Sequence, residues 1–224
     1  MSGFLNRAEA GKALASELAG RGYTDPVILA LPRGGVPVGI EVVRELRAPM
    51  DLVMVRKIGV PRQPELAAAA VVNGENPQIV INEGIAAQAG LSHDEIERLA
   101  QTQLDEIARR REIYLKGRAS VPLEGRTVIV VDDGIATGAT MRASLKAVRK
   151  RKPAKLVLAV PVAAPDTLEA LRGEVDEVVC LLKPPLLLGI GAHYADFGQT
   201  SDDEVIRLLD EADRLIRKNE DVQD

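Results

Sequence analysis

The chain has no tryptophan, three tyrosines, two phenylalanines, one cysteine and two histidines. Its core must therefore be aliphatic. The single cysteine, Cys180, sits in the apolar run VVCLL, so no disulfide closes within the chain and burial is its expected fate. So few Cys and His residues form no ligand cluster, which argues against a zinc site. No apolar stretch approaches the roughly eighteen residues of a membrane span, and the N-terminus does not read as a signal peptide. The expectation is a cytoplasmic protein with no membrane partner. Net charge is also lacking: a formal charge of −4 and a pI near 5.4 argue against general affinity for nucleic acid or an anionic membrane. The 224 residues suffice for one sizeable core, and nothing demands a second domain.

What the chain does contain is concentrated in residues 128–140, VIVVDDGIATGAT. Four consecutive β-branched residues read as a strand buried on both faces, as at the centre of a parallel sheet. Asp132 and Asp133 stand where that strand should end. Gly134, Ala136, Thr137, Gly138, Ala139 and Thr140 belong to a small-residue loop, and residues 141–150 have helical composition. Small residues let backbone amides approach an anion closely, and the following helix adds its unpaired N-terminal donors and the positive end of its dipole. A phosphate fits there. Two ionised carboxylates would repel it, so they should face a group that welcomes acceptors, such as a ribose diol or a hydrated Mg²⁺. A P-loop is excluded because no G-K-[ST] follows, and the G-x-G-x-x-G spacing of a dinucleotide site is absent.

The same order recurs upstream. Residues 27–31 read as a short apolar strand, PRGG follows, and residues 36–46 return to helical periodicity. Gly34 and Gly35 free the backbone to meet an anion, and Arg33 adds charge beside them.

The 128–140 run resembles, without a gap, the 5-phosphoribosyl-1-pyrophosphate (PRPP) signature of type I phosphoribosyltransferases: apolar strand, two acids, variable positions, then T-G-x-T. The resemblance implies that Asp132 and Asp133 hold the ribose hydroxyls, directly or through Mg²⁺. It implies that the loop 136–140 wraps the 5-phosphate, and that Arg33, Gly34, Gly35 and Lys57 meet the pyrophosphate. The implied fold is α/β, a mainly parallel sheet flanked by helices, with a small hood and a flexible loop. It would be one domain over residues 1–224, its core at about 27–182 and its hood from the termini, about 1–22 and 183–224. A homodimer is implied in the same way.

Along the rest of the chain, helices are expected at residues 6–19, 92–116 and 202–216, the second opening on the capping box Ser92–Glu95. Residues 50–55 read as a strand ending in Arg56 and Lys57. Residues 59–65, polar and broken by Pro61 and Pro64, read as a mobile loop, with Glu65 on it as a substitute acid–base group. Residues 66–72 and 78–82 read as two strands joined around 73–77, and 155–162 and 177–182 as two more, with a short helix at 166–171 between them. The basic run at 109–111 is expected to complement the helix dipole. Tyr194 and Phe197, on a glycine-containing loop, suit a platform for a planar ring, or else the closure of a satellite core.

The activity implied is Mg-dependent transfer of a 5-phosphoribosyl group from PRPP to a nitrogenous base, purine-type favoured, with release of pyrophosphate, as in nucleotide salvage. Ala136 departs from the aspartate usual at that position in 6-oxopurine enzymes of the family, which disfavours hypoxanthine or guanine. The alternative is a non-catalytic sensor of PRPP or a nucleotide on the same fold, with a basic face at 109–111 and 150–152 for RNA or protein.

Overall fold

The computed structural model describes residues 3–72 and 77–223. Five strands, β1 (Pro26–Ala30), β2 (Met50–Leu52), β6 (Thr127–Val131), β7 (Lys155–Val162) and β8 (Glu177–Leu182), form one sheet in the order β2-β1-β6-β7-β8. Every pairing in it is parallel. A separate antiparallel sheet holds β3 (Val55–Val60), β4 (Gln63–Val72) and β5 (Gln78–Ile81).

The unbroken β-branched sequence of β6 follows from its place at the sheet centre, where all five residues are buried. Successive side chains serve opposite faces. Ile129 and Val131 join Ile28 and Ala30 beneath α1 (Arg7–Ala19), α2 (Gly35–Leu46) and α7 (Asp202–Gln223). Val128 and Val130 join Val27 and Leu29 against α5 (Ala139–Arg149) and α6 (Pro165–Leu171). The small sheet is divided likewise: Ala69 and Val71 pack with α4 (His93–Leu115), and Ala70 and Val72 lie with the α5 cluster. The remaining helix, α3 (Glu83–Gln88), is capped by Asn82.

The expected α/β architecture is present, with three corrections. The strand expected at 50–55 is two strands in two sheets, because the chain leaves the large sheet after Leu52, with Val53 N–H bonded to Ala30 O at 3.0 Å. Lys57 therefore lies inside β3, paired with Ala70, and not at a strand end. The mobile loop expected at 59–65 is instead a hairpin: Val60 pairs with Gln63 across Pro61-Arg62, and Arg62 adopts φ 69°. The pairing skips from Gly59↔Ala67 to Val60↔Gln63, an irregularity that takes up Pro64 where no ladder bond is needed. Lastly, the arginine run is not in the last turn of α4, which holds no basic residue. Arg109 and Arg110 instead pair with Glu106 of the preceding turn.

The termini divide between two tasks. Leu14, Leu18, Val205 and Leu208 belong to the main core, so α1 and α7 are packed layers of the sheet, while Phe4, Leu187 and Ile190 pack with Ala10 and Val162 in a satellite cluster around Tyr194. The turn expected at 73–77 falls, except for Pro77, outside the described residues, as does the side chain of Glu65.

Candidate active site

Chain order reverses between β1 and β6, and in open parallel sheets the crevice beyond the carboxyl ends at such a point is where ligands bind. Pairing of Ala30 with Val131 sets the two following loops side by side. They touch: a Cβ on Gly34 would lie 2.1 Å from Asp133 Oδ2, and one on Gly35 would lie 2.7 Å from Val131 O. Gly34 has an ordinary helical φ of −62°, so it is the approach of the acid, not backbone freedom, that demands glycine.

The two acids are placed differently. Asp133 is 8% exposed, and its Oδ2 accepts a hydrogen bond from Arg7 Nε at 2.7 Å. Asp132 is half-buried, with Oδ1 accepting from the Asp133 N–H at 2.9 Å. Burial and then the charge of Asp133 hold Asp132 well above the usual carboxylate range.

Past the acids, Gly134 is confined by Ile190 and Val162, whose methyl carbons would lie 2.7 and 2.8 Å from a Cβ there. Ala136, Thr137 and Ala139 are exposed, Thr140 is half-buried, and Gly138, at φ +76°, turns the chain into α5. No side chain caps α5, leaving its first amides available to an anion. Thr167 Oγ1 steadies the loop by donating to Ala136 O at 2.9 Å.

Lys57, Thr137 and Ala139 line one cleft of about 470 Å³ between α5 and the small sheet, with Arg142, Lys146 and Asn82. The fold thus brings Lys57 to the 136–140 loop from the other sheet. Arg33 stands on the opposite side, 3.6 Å from Asp202 at the start of α7, and Tyr114 OH of α4 donates to the same carboxylate at 2.5 Å.

Tyr194 and Phe197 lie beside the acids, stacked with ring centroids 5.0 Å apart. Tyr194 is 7% exposed and its hydroxyl donates to Asp133 O at 2.6 Å, so it closes the satellite core and offers no open face as a platform. Burial, with the Asp133 charge, raises its pKa. Phe197 is exposed, but Arg7 covers one face at 3.8 Å. Cys180, expected to be buried, is half-buried, its thiol pushed up to about 11 by desolvation.

Sequence reasoning missed Arg7 and Asp202. Arg7 carries a faint signal, since a cation in the first turn of a helix opposes the dipole and asks for an acid elsewhere. Of the basic residues of the regulator alternative, Arg109 and Arg110 share Glu106 and Lys152 meets Glu124, while Arg111, Lys150 and Arg151 bond the neutral groups of Ser120, Gln78 and the Val121 carbonyl.

Among the described residues no helix is long and apolar enough to cross a membrane, and no group of three or more His, Cys, Asp or Glu side chains is placed to hold a metal. A hydrated Mg²⁺ fits nonetheless, because that ion is commonly held by one or two carboxylates with substrate phosphates and water completing its shell.

The family model described as "Phosphoribosyl transferase domain" matches residues 5–184. A protein of Mycobacterium tuberculosis, provisionally named a phosphoribosyl transferase, is 45% identical over 211 residues; these cover 94% of this chain and 47% of the relative. The chain thus spans about half the length of the curated relatives it matches. The crystal structure of TT1426 from Thermus thermophilus superposes with a TM-score of 0.83 at 41% identity, covering 94% of this chain and 99% of that one.

Proposed function

This chain belongs to the phosphoribosyl transferase domain family, and on that premise we propose that it transfers the 5-phosphoribosyl group of Mg²⁺-PRPP to a nitrogenous base of purine type, releasing pyrophosphate. The observation that carries this reading is the contact between Gly34 and Asp133, which joins a glycine loop and an acid pair at the switch point of the sheet, beside an uncapped helix N-terminus.

The 5-phosphate lies in the 136–140 loop on the amides at the start of α5, with Thr137 and Thr140 donating. The ribose diol is received at the acid pair, and Arg33 and Lys57 offset the charge of the departing pyrophosphate. Mg²⁺ bound at the acids would neutralise phosphate charge. C1 of the ribose loses pyrophosphate through an oxocarbenium-like state and is captured by the base nitrogen, and these residues contribute alignment and charge stabilisation without a covalent intermediate. Glu65 is the candidate for proton exchange with the base, since Ala136 has no acid to offer. The hood over the base is drawn from the termini, about 1–22 and 183–224; since α1 and α7 pack on the sheet, residues 183–201 are its proposed main part, with Phe197 at the rim. A homodimer in the cytoplasm, serving nucleotide salvage, completes the reading by family likeness.

The test is pyrophosphate release from Mg²⁺-PRPP against a panel of purine and pyrimidine bases, with Asp132→Asn/Asp133→Asn as control. Release with one base, lost in the control, is expected. Binding of PRPP by calorimetry with no release for any base would replace the transferase with a sensor.

A further inference from the structure

Resting on that reading, the geometry points to Arg7 as a positioning residue that divides the acid pair, locking Asp133 into the protein as an anchor and leaving Asp132 as the carboxylate presented to the ribose diol.

Three separate groups hold the Arg7 guanidinium. Nε donates to Asp133 Oδ2 at 2.7 Å, one terminal nitrogen donates to Gly198 O at 2.6 Å, and Cζ lies over the ring of Phe197, 3.8 Å from its centroid. The side chains of the ion pair are only 13% and 12% exposed. A planar fork that donates in two directions while stacking is arginine's capability and not lysine's. Asp133 is enclosed further by Gly34, whose missing Cβ would sit 2.1 and 3.1 Å from its two carboxylate oxygens, and its carbonyl accepts from Tyr194 OH. No room is left on those sides for a sugar.

Asp132 is the complement. It is half-buried, its Oδ1 accepts from the next backbone amide, and among the described residues no cation pairs with it. Pairing Asp133 with a cation also lessens the negative charge that an anionic ligand meets at the acid pair. Because Arg7 lies 126 residues from Asp133 and 191 from Gly198, it ties the first helix, the acid loop and the 194–198 segment into one unit.

Calorimetric binding of Mg²⁺-PRPP to Arg7→Lys, Asp133→Asn, their double variant and Asp132→Asn tests this, with thermal melts of each and KM and kcat for PRPP. Arg7→Lys and Asp133→Asn should each weaken binding about tenfold, the scale of one charge-assisted hydrogen bond. The double variant should bind no worse than the weaker single, since both remove one interaction. Asp132→Asn should weaken binding about a hundredfold or more, as expected for the group that touches the ligand. For Arg7→Lys, KM should rise more than kcat falls. Wild-type affinity in Arg7→Lys, or losses that multiply in the double variant, would overturn the inference; so would a lowered melting temperature with unchanged affinity. If Arg7→Lys does not fold, Phe197→Leu removes the stack beneath the guanidinium and should raise KM about threefold; an unchanged KM would overturn it equally. Absence of PRPP binding in the unmodified protein would sink both readings, and is distinguishable because no variant is involved.

Discussion

Gly34 and Tyr194 bracket the acid pair from opposite sides, and each supports a prediction at the scale of a single atom group. In Gly34→Ala the new methyl would meet Asp133 Oδ2 at 2.1 Å, so the acid must shift by about an ångström. Misplacement on that scale costs on the order of 10²-fold in rate. Pyrophosphate release should fall by that factor while the far-ultraviolet circular dichroism stays that of the parent, because φ −62° suits alanine. Tyr194→Phe removes the donor to the buried Asp133 carbonyl, at 2.6 Å. Leaving that carbonyl unsatisfied should cost about 1–3 kcal/mol in urea unfolding. An unchanged midpoint would mean that the hydroxyl is not holding the acid loop.

At the scale of elements, α4 shows how local charge is put to use. Its N-terminus is closed by a full capping box, with Ser92 Oγ accepting from Glu95 N–H and the Glu95 carboxylate accepting from Ser92 N–H. Ser92→Ala should therefore lower stability by about 1 kcal/mol. Farther along, hydrogen bonds from Arg109 and Arg110 hold Glu106 down to about 2, from an ordinary 4.5. Glu106 also meets Arg56 of β3 at 2.9 Å, so the cluster fastens α4 to the small sheet. A depressed carboxylate contributes stability that is full above pH 4.5 and lost as pH falls through about 2. The urea midpoint should fall through that window in the parent, and Glu106→Gln should be less stable than the parent at pH 7 with a flatter profile below pH 4.5. Parallel profiles would rule the cluster out as a source of acid sensitivity.

For the whole molecule, a ligand that bridges loops from two strands and the start of a helix should stabilise everything those elements hold together. Mg²⁺-PRPP at about 100 times its dissociation constant should add about 2.7 kcal/mol, which for a chain of this size raises the melting temperature by roughly 5–10 °C. A melt with and without the ligand checks this, and Asp132→Asn should cut the rise to about 1–2 °C or less. A shift that persists in full in Asp132→Asn would place the ligand elsewhere.

The central sheet and the small-residue loop that leads into α5 were legible in the residues alone. Strands buried on both faces read as unbroken β-branched runs, and an acid pair followed by T-G-A-T lies within one short segment. The helix starts were legible for the same reason, since Asn6 and Ser92 act on amides three residues away. Where residues 50–65 go was settled by packing: a strand that ends and restarts in another sheet keeps the same periodicity, and the prolines of a hairpin look like those of a loop. Packing likewise brought Arg7 to Asp133, Asp202 to Arg33 and Lys57 to the cleft it shares with Thr137. Those partners meet across scores of residues, and the spacing of side chains along one segment carries no record of what lies opposite it.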